Sequence, residues 1–266
     1  MPEAGAAVRG TPSDKKTPSD KKLLVRFGRG RLGGTTYLDA LAQRARLAGR
    51  EVILVDADLR NPSLSRLYPE ARVPTDGSPE DFRRLMLEVL DALAGRPGPV
   101  SALVDIGGGQ DRAMGDLIRD LSLAEFCQDA AVLPVAVYMI GPDEDDLQHA
   151  LSVREARLLE GGATLLVMNE AVVKRGQTPE SAFAPVVERP AFQAWVQDGG
   201  ARLVWLRNLA VLDKARALGL SLGDAMAGQA GEGGQGLGFT ERWMIKDWFR
   251  KLEERHAAAD ALDLLP

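Results

Sequence analysis

The sequence predicts an α/β fold, three layers with a mainly parallel sheet, and three observations carry that prediction. Residues 23–56 read as strand, glycine-rich loop, helix and strand: LLVRF (23–27), a loop with Gly28, Gly30, Gly33 and Gly34, a helical pattern from Thr35 to about Ala48, then VILVD (52–56). Such a βαβ unit implies parallel strands with the loop at their carboxyl ends, where ligands bind. Further apolar runs at 99–105, 131–139, 163–169 and 202–206 alternate with helix-like stretches, the order that places helices on both faces of a sheet. With 266 residues, 45% hydrophobic and 27% charged, the chain has room for one such domain with appendages.

The helix after the loop rests on Leu38, Leu41, Ala42, Ala45 and Leu47/Ala48 at near 3.6-residue spacing, with Gly49 as its stop. The loop itself nearly matches the phosphate-binding pattern GxxxxGK[ST]. Gly28, Gly33 and Thr35 are in register, Thr36 follows, and Gly34 stands where the lysine belongs. In the intact motif backbone N–H groups and the helix N-terminus cradle phosphates, the lysine neutralises them, and the hydroxyl holds Mg²⁺. Losing one charge-assisted contact of this kind costs about 1.5–3 kcal/mol. Arg29 and Arg31 lie in the same loop as alternative cations, although guanidinium is larger than ammonium and planar.

GRGRLGGTT (28–36) followed by VILVDADLRNPSLSRLYP (52–69) resembles the deviant-Walker branch of P-loop NTPases, the ParA/MinD group. More narrowly, RGRxGGT, IGGG (106–109) and the terminal LLP look like ParA-like proteins of plasmid mobilisation and conjugation regions. The resemblance implies a P-loop NTPase three-layer α/β/α fold that binds ATP or ADP with Mg²⁺. It places Gly28, Arg29, Gly30, Arg31, Leu32, Gly33, Gly34, Thr35 and Thr36 around the phosphates. Arg29 falls at the position of the group's signature lysine, which dimerisation sets across the partner's phosphates. Asp58 matches the aspartate that positions attacking water, Asp56 the one in the metal's outer shell, and Asn169 the asparagine that reads the adenine edge. The two aspartates also fit a turn cap paired with Arg60, and an asparagine at a strand end is equally common turn chemistry. Alternation at the strand end puts Asp56 and Asp58 on the same side, facing the loop.

Taken in order, residues 1–22 repeat TPSDKK at 11–16 and 17–22, a composition that does not form a packed core and reads as a disordered tail. After DADLR the chain is loop-rich to Pro79, with a helical turn at Leu64–Tyr68, the switch region in the resembled group. Residues 80–94 form an amphipathic helix with Phe82, Leu85/Met86, Val89/Leu90 and Leu93 inward. The run closing on Asp105 has the Walker B pattern and sets a carboxylate beside Thr35 for the metal. Residues 112–126 read as one helix, and 141–162 as another whose acids, Asp143 to Asp146, form a solvated cluster at its N-terminus. A loop around Gly176 precedes a short helix at 191–199, and helical turns at 211–226 close the nucleotide-binding unit, 23–226. A glycine-rich linker, 227–238, leads to an amphipathic helix within 239–266, which either docks on a partner or folds back on the domain or a dimer mate; its Lys and Arg are balanced by Glu and Asp, which argues against a membrane.

Several function classes are disfavoured. Net charge is −5 and the pI about 5.3, which argues against a broad nucleic-acid-binding surface. A lone Cys127 permits no intrachain disulfide and fits a reducing cytoplasm. The longest apolar run, 130–141, is too short for a bilayer span. His149 and His256 have no partner at metal or triad spacing. Although DxDxR also resembles bacterial tyrosine kinases, Tyr37, Tyr68 and Tyr138 are scattered. The reading is a cytoplasmic, homodimeric nucleotide-binding accessory protein of plasmid transfer or partition, with weak ATPase at most. Its partners are plasmid-transfer or partition proteins, and a scaffold without nucleotide chemistry is the alternative.

Overall fold

The computed structural model describes residues 20–107, 110–156, 159, 162–197 and 200–266. The tail as far as Ser19, and Gly108 and Gly109 of IGGG, lie outside the described residues. Six strands form one sheet: β1 (Lys21–Phe27), β2 (Glu51–Asp56), β3 (Val100–Asp105), β4 (Val132–Ile140), β5 (Ala163–Asn169) and β6 (Arg202–Leu206). Their spatial order is β2-β3-β1-β4-β5-β6 and every pairing is parallel. The strands are apolar runs rather than alternating ones because helices cover both faces. Along β1, Leu23, Val25 and Phe27 enter one core and Leu24 the other.

One core is closed by α3 (Pro79–Gly95), α4 (Asp111–Leu121), α5 (Leu123–Asp129), α6 (Glu144–Glu155), α7 (Pro179–Val187) and α8 (Pro190–Gln197). The opposite face carries α1 (Gly34–Leu47), α2 (Leu64–Leu67), α9 (Leu212–Ala217), α10 (Leu222–Ala227) and α11 (Phe239–Ala258). This is a three-layer α/β/α arrangement of the P-loop NTPase kind, with the glycine loop joining central β1 to α1. From β1 the chain leaves over one face through α1, and from neighbouring β4 over the other through α6. A crevice therefore opens between the two loops at the carboxyl edge.

The structure refines the sequence reading in several places. Lys21 and Lys22, assigned to the tail, begin β1, and Lys22 is buried. The helix read at 112–126 breaks at Ser122, which takes a left-handed φ of 50°. The helical turns expected at 211–226 resolve into two short helices with Gly219, φ 69°, between them. Helix α7, between the loop around Gly176 and the helix expected at 191–199, is an element the sequence reading does not assign; it starts at a Thr178–Ser181 capping box and carries Pro179 and Pro185. Residues 227–238, read as a flexible linker, are folded instead. Ala230 bridges Gly236, the Glu232 N–H donates to the Leu218 carbonyl at 3.0 Å, and Leu237 is buried.

Helix α11 folds back on the domain. Ile245, Trp248, Phe249 and Leu252 are buried in the second core, and the Trp248 indole N–H donates to the Arg207 carbonyl at 2.8 Å. His256 is also buried, bonded to the Tyr37 hydroxyl at 2.9 Å and to Glu253 at 3.2 Å. Burial lowers its pKa below the ordinary imidazole value, against the pull of Glu253. Cys127 is buried, and burial pushes its thiol up to about 11. Among the described residues no helix is long and apolar enough to cross a membrane.

Candidate functional site

The rigid central strand β1 delivers the glycine loop to the crevice. Gly28 (φ 138°), Arg31 (φ 71°) and Gly33 (φ 83°) take positive φ values. At Arg31, which has a side chain, this is a strained conformation of the kind concentrated at binding sites. Gly33 must be glycine on two counts: its φ, and the Asn169 amide packed where a Cβ would stand. That amide donates to the Leu32 carbonyl at 2.9 Å while its oxygen accepts from Ala171 N–H at 2.9 Å. Asn169 thus clasps the loop from the end of β5, and its side chain is committed to that task. Helix α1 begins at Gly34 with no side-chain cap and no acid in its first turn. Its first N–H groups have no intrahelical acceptor, the condition that suits an anion.

Beneath the loop runs a row of charges fixed by strand register. Arg26 on β1 is the Cα partner of Asp105 on β3, which is the partner of Asp56 on β2. All three are buried. Both Arg26 Nε (2.7 Å) and Nη2 donate to one Asp105 oxygen, and Arg26 Nη1 donates to the Gly28 carbonyl at 3.1 Å. The other Asp105 oxygen accepts from the Thr35 hydroxyl at 2.8 Å, and that hydroxyl also meets Ser63 Oγ at 2.7 Å. Asp56 accepts from the Ser65 N–H (2.8 Å) and hydroxyl (2.9 Å), which ties α2 to the end of β2. Burial raises the Asp56 pKa, with Asp105 adding to the effect and the Ser65 bonds opposing it.

The structure brings Thr35, Asp105 and Asp56 together and engages all three in hydrogen bonds within the chain. Asp58 is placed elsewhere. Strand β2 ends at Asp56, alternation ceases, and Asp58 accepts from the N–H groups of Arg60 (3.2 Å) and Asn61 (3.1 Å). It packs against Gly107 and lines a cavity of about 570 Å³ with Asp76, Gly77 and Gln110, which includes no residue of the glycine loop. Asp58 thus caps its own turn, the alternative that the sequence leaves open for it.

Arg29 is half-exposed and lies 3.4 Å from Asp146 and 3.7 Å from Asp145 at the start of α6. The acidic run is accordingly more than a solvated cluster. Asp143 makes no side-chain cap, and Asp146 is buried against Gly141, its pKa raised by burial and held back by Arg29. Arg29, Gly30, Arg31 and Leu32 form one wall of a 390 Å³ opening whose other wall is Pro142, Asp143 and Asp146, with Val172 and Lys174 at its end.

Sequence reasoning missed two members of the site, Arg26 and Ser63. Arg26 carries a signal: a charged residue inside the otherwise apolar run LLVRF is not buried without a partner, and its period-2 position puts it on the α1 face beside Leu24. It also missed Asp39, completely buried on α1, which accepts from Tyr68, from Arg216 at 2.6 Å and from the Leu222 N–H at 3.0 Å. That residue joins α1, α2, α9 and α10, and nothing in its spacing marked it.

The loop and the open start of α1 fit the phosphates of a nucleotide. Mg²⁺ does not fit the donor set as it stands, because the Thr35 hydroxyl and both Asp105 oxygens are held by Arg26, Ser63 and one another. No group of three or more His, Cys, Asp and Glu side chains among the described residues is arranged for a metal.

No protein-family model matches the sequence, and no curated protein matches it. Similar solved structures include the cell division protein FtsY of Thermotoga maritima, 13% identical over 89% of this chain and 72% of that one, TM-score 0.48. The MinC:MinD cell division protein complex of Aquifex aeolicus is 14% identical over 88% of this chain and 96% of that one, TM-score 0.48. A nucleotide-binding protein in complex with ADP from Archaeoglobus fulgidus is 15% identical over 75% and 87%, TM-score 0.45.

Proposed function

We propose that this protein is a nucleotide-responsive accessory protein of plasmid conjugation, mobilisation or partition. It binds ATP or ADP at residues 28–36, dimerises through the loop face, recruits transfer or partition proteins, and hydrolyses ATP weakly or not at all. The observation that carries the reading is the glycine loop at the sheet's carboxyl edge, running into a helix whose N-terminus is free of caps and acids. The sequence likeness to plasmid-encoded ParA-like proteins supports the process. Half-exposed Arg29 has the reach for a partner's phosphates once released from Asp145 and Asp146. The missing lysine and the hydrogen-bonded Thr35–Asp105 pair support weak hydrolysis. The scaffold reading has its own support in exposed Phe239 and Trp243, a turn apart at the start of α11.

Calorimetry with ATP and ADP on wild type, Arg29→Ala and Arg31→Ala tests this, with sedimentation run alongside for nucleotide-driven dimers. Micromolar binding weakened tenfold or more by either substitution, about 1.4 kcal/mol, supports nucleotide recognition by the loop. No binding at millimolar nucleotide refutes it in favour of the scaffold.

A further inference from the structure

Gly34 and Arg26 occupy one space. A Cβ at position 34 would lie 2.5 Å from Arg26 Nε, 2.7 Å from Cδ and 2.9 Å from Cζ. The loop therefore lacks its lysine at the very place where a buried guanidinium arrives from the strand below. The guanidinium has five N–H donors, and three hydrogen bonds account for three of them, two to Asp105 and one to the Gly28 carbonyl. Two donors remain beneath the loop without an acceptor among the described residues. The carboxylate and hydroxyl that would take Mg²⁺ are meanwhile closed by this same cation and by Ser63.

We infer that the phosphate-recognising charge has moved from loop position 34 to strand position 26, and that Arg26 stands in for the metal, so that phosphate groups bind without Mg²⁺. This rests on the nucleotide reading of the loop for the identity of the ligand, though not for its phosphate chemistry. The charge count agrees. Asp105 is neutralised by Arg26, so a divalent ion arriving with the nucleotide must first displace a buried partner that gives two hydrogen bonds to one carboxylate oxygen. A phosphate needs only the spare guanidinium donors, the first-turn N–H groups of α1 and the local positive potential of the helix end. Arg26 is then a binding residue held in place by the sheet, whereas a lysine at position 34 would be carried by the loop.

The test is calorimetry with ADP, ATP and pyrophosphate, each in Mg²⁺ and in EDTA. The proteins are wild type, the neutral pair Arg26→Gln/Asp105→Asn, and the swap Arg26→Ala/Gly34→Lys, with folding of each followed by circular dichroism and thermal melting. The neutral pair keeps hydrogen-bonding groups at both positions, so a folded protein is available even where removal of Arg26 alone strands Asp105. The expected result is wild-type binding within about twofold in Mg²⁺ and EDTA, a loss of tenfold or more in the folded neutral pair, and recovery in the swap with a new dependence on Mg²⁺. Wild-type binding that falls tenfold in EDTA, or a neutral pair that binds like wild type, overturns the inference while leaving the nucleotide reading intact. Pyrophosphate binding lost in the neutral pair, with no ADP or ATP binding at all, keeps the inference and refutes the nucleotide reading. Absence of all three ligands overturns both.

Discussion

Gly34→Ala offers a test in which the sign alone is informative. At an ordinary helix position Gly→Ala stabilises by up to about 1 kcal/mol, because glycine is the costlier residue to order. The φ of Gly34 lies outside the left-handed region, so the backbone has no objection to alanine. The obstacle is Arg26, whose Nε, Cδ and Cζ stand within 2.5–2.9 Å of the new methyl. That side chain is held by Asp105 and the Gly28 carbonyl and is only 8% exposed. Displacing it breaks a buried ion pair, a loss of about 3–5 kcal/mol. Offset by the helix gain, the net effect is a destabilisation of about 2–4 kcal/mol, a large fraction of a typical domain's stability. Urea unfolding followed by tryptophan fluorescence measures it. In an Arg26→Ala/Asp105→Asn background the same methyl meets empty space and its cost disappears, a coupling that a double-mutant cycle isolates. A Gly34→Ala protein as stable as wild type would refute the claim that Arg26 fills the lysine's place.

Other substitutions probe the frame around the site. Tyr68→Phe removes the hydroxyl that donates to buried Asp39 and should cost about 1.5–3 kcal/mol in urea unfolding, whereas an unchanged midpoint would remove Asp39 as the junction of α1 and α2. Trp248→Ala vacates a site beneath α11 and should cost about 3–5 kcal/mol; a shift below 1 kcal/mol would mean the helix is a detachable appendage. Buried His256, packed against Tyr37, Glu253 and Arg44, has a lowered pKa. The unfolded chain takes up the proton near the ordinary value of 6.5 and the native one does not. This contribution to stability is therefore complete above that pH and is lost as pH falls toward the folded value. His256→Gln should flatten the difference between unfolding curves at about pH 7.5 and pH 5.5, and an unaltered slope would assign it to other groups.

The fold was legible because its signals are local. The βαβ unit, the apolar runs and the helix stripe at 80–94 follow from periodicities of two and 3.6, and each strand edge lay within two residues of its expected place. The loop was legible for the same reason, since its glycines sit in one continuous stretch. What escaped was chemistry made across strands. Arg26 meets Asp105 from 79 residues away, and Thr35 meets Ser63 from 28. No spacing rule ties such residues until the sheet order puts β3 beside β1. Asp39 escaped for a related reason: its place in α1 gives no local sign of burial, and the return of α9 and α10 covers it. The C-terminal stretch failed differently. Its glycines read as freedom, yet Gly228 (φ 78°), Gly233 (φ 72°) and Gly234 (φ 73°) supply the left-handed turns that let 227–238 fold against the domain.

The placement of the buried Arg26 guanidinium has a consequence for how the proposed site responds to a ligand. A lysine on the loop would move with the loop, and its contact with a phosphate would leave the sheet unchanged. Arg26 is anchored to β1, and its acceptor Asp105 is also the acceptor of Thr35, which in turn meets Ser63 just ahead of α2. Any anion that draws the guanidinium toward the loop weakens its hold on Asp105. That carboxylate then leans on Thr35, and through it on Ser63, while Asp56 keeps its separate grip on Ser65. Under the proposal that Arg26 binds phosphate, phosphate binding and the position of α2 are linked through the Asp105 carboxylate. Linkage is reciprocal, so a substitution that frees α2, such as Ser63→Ala, should alter phosphate affinity even though its side chain lies on the far side of Thr35 from Arg26.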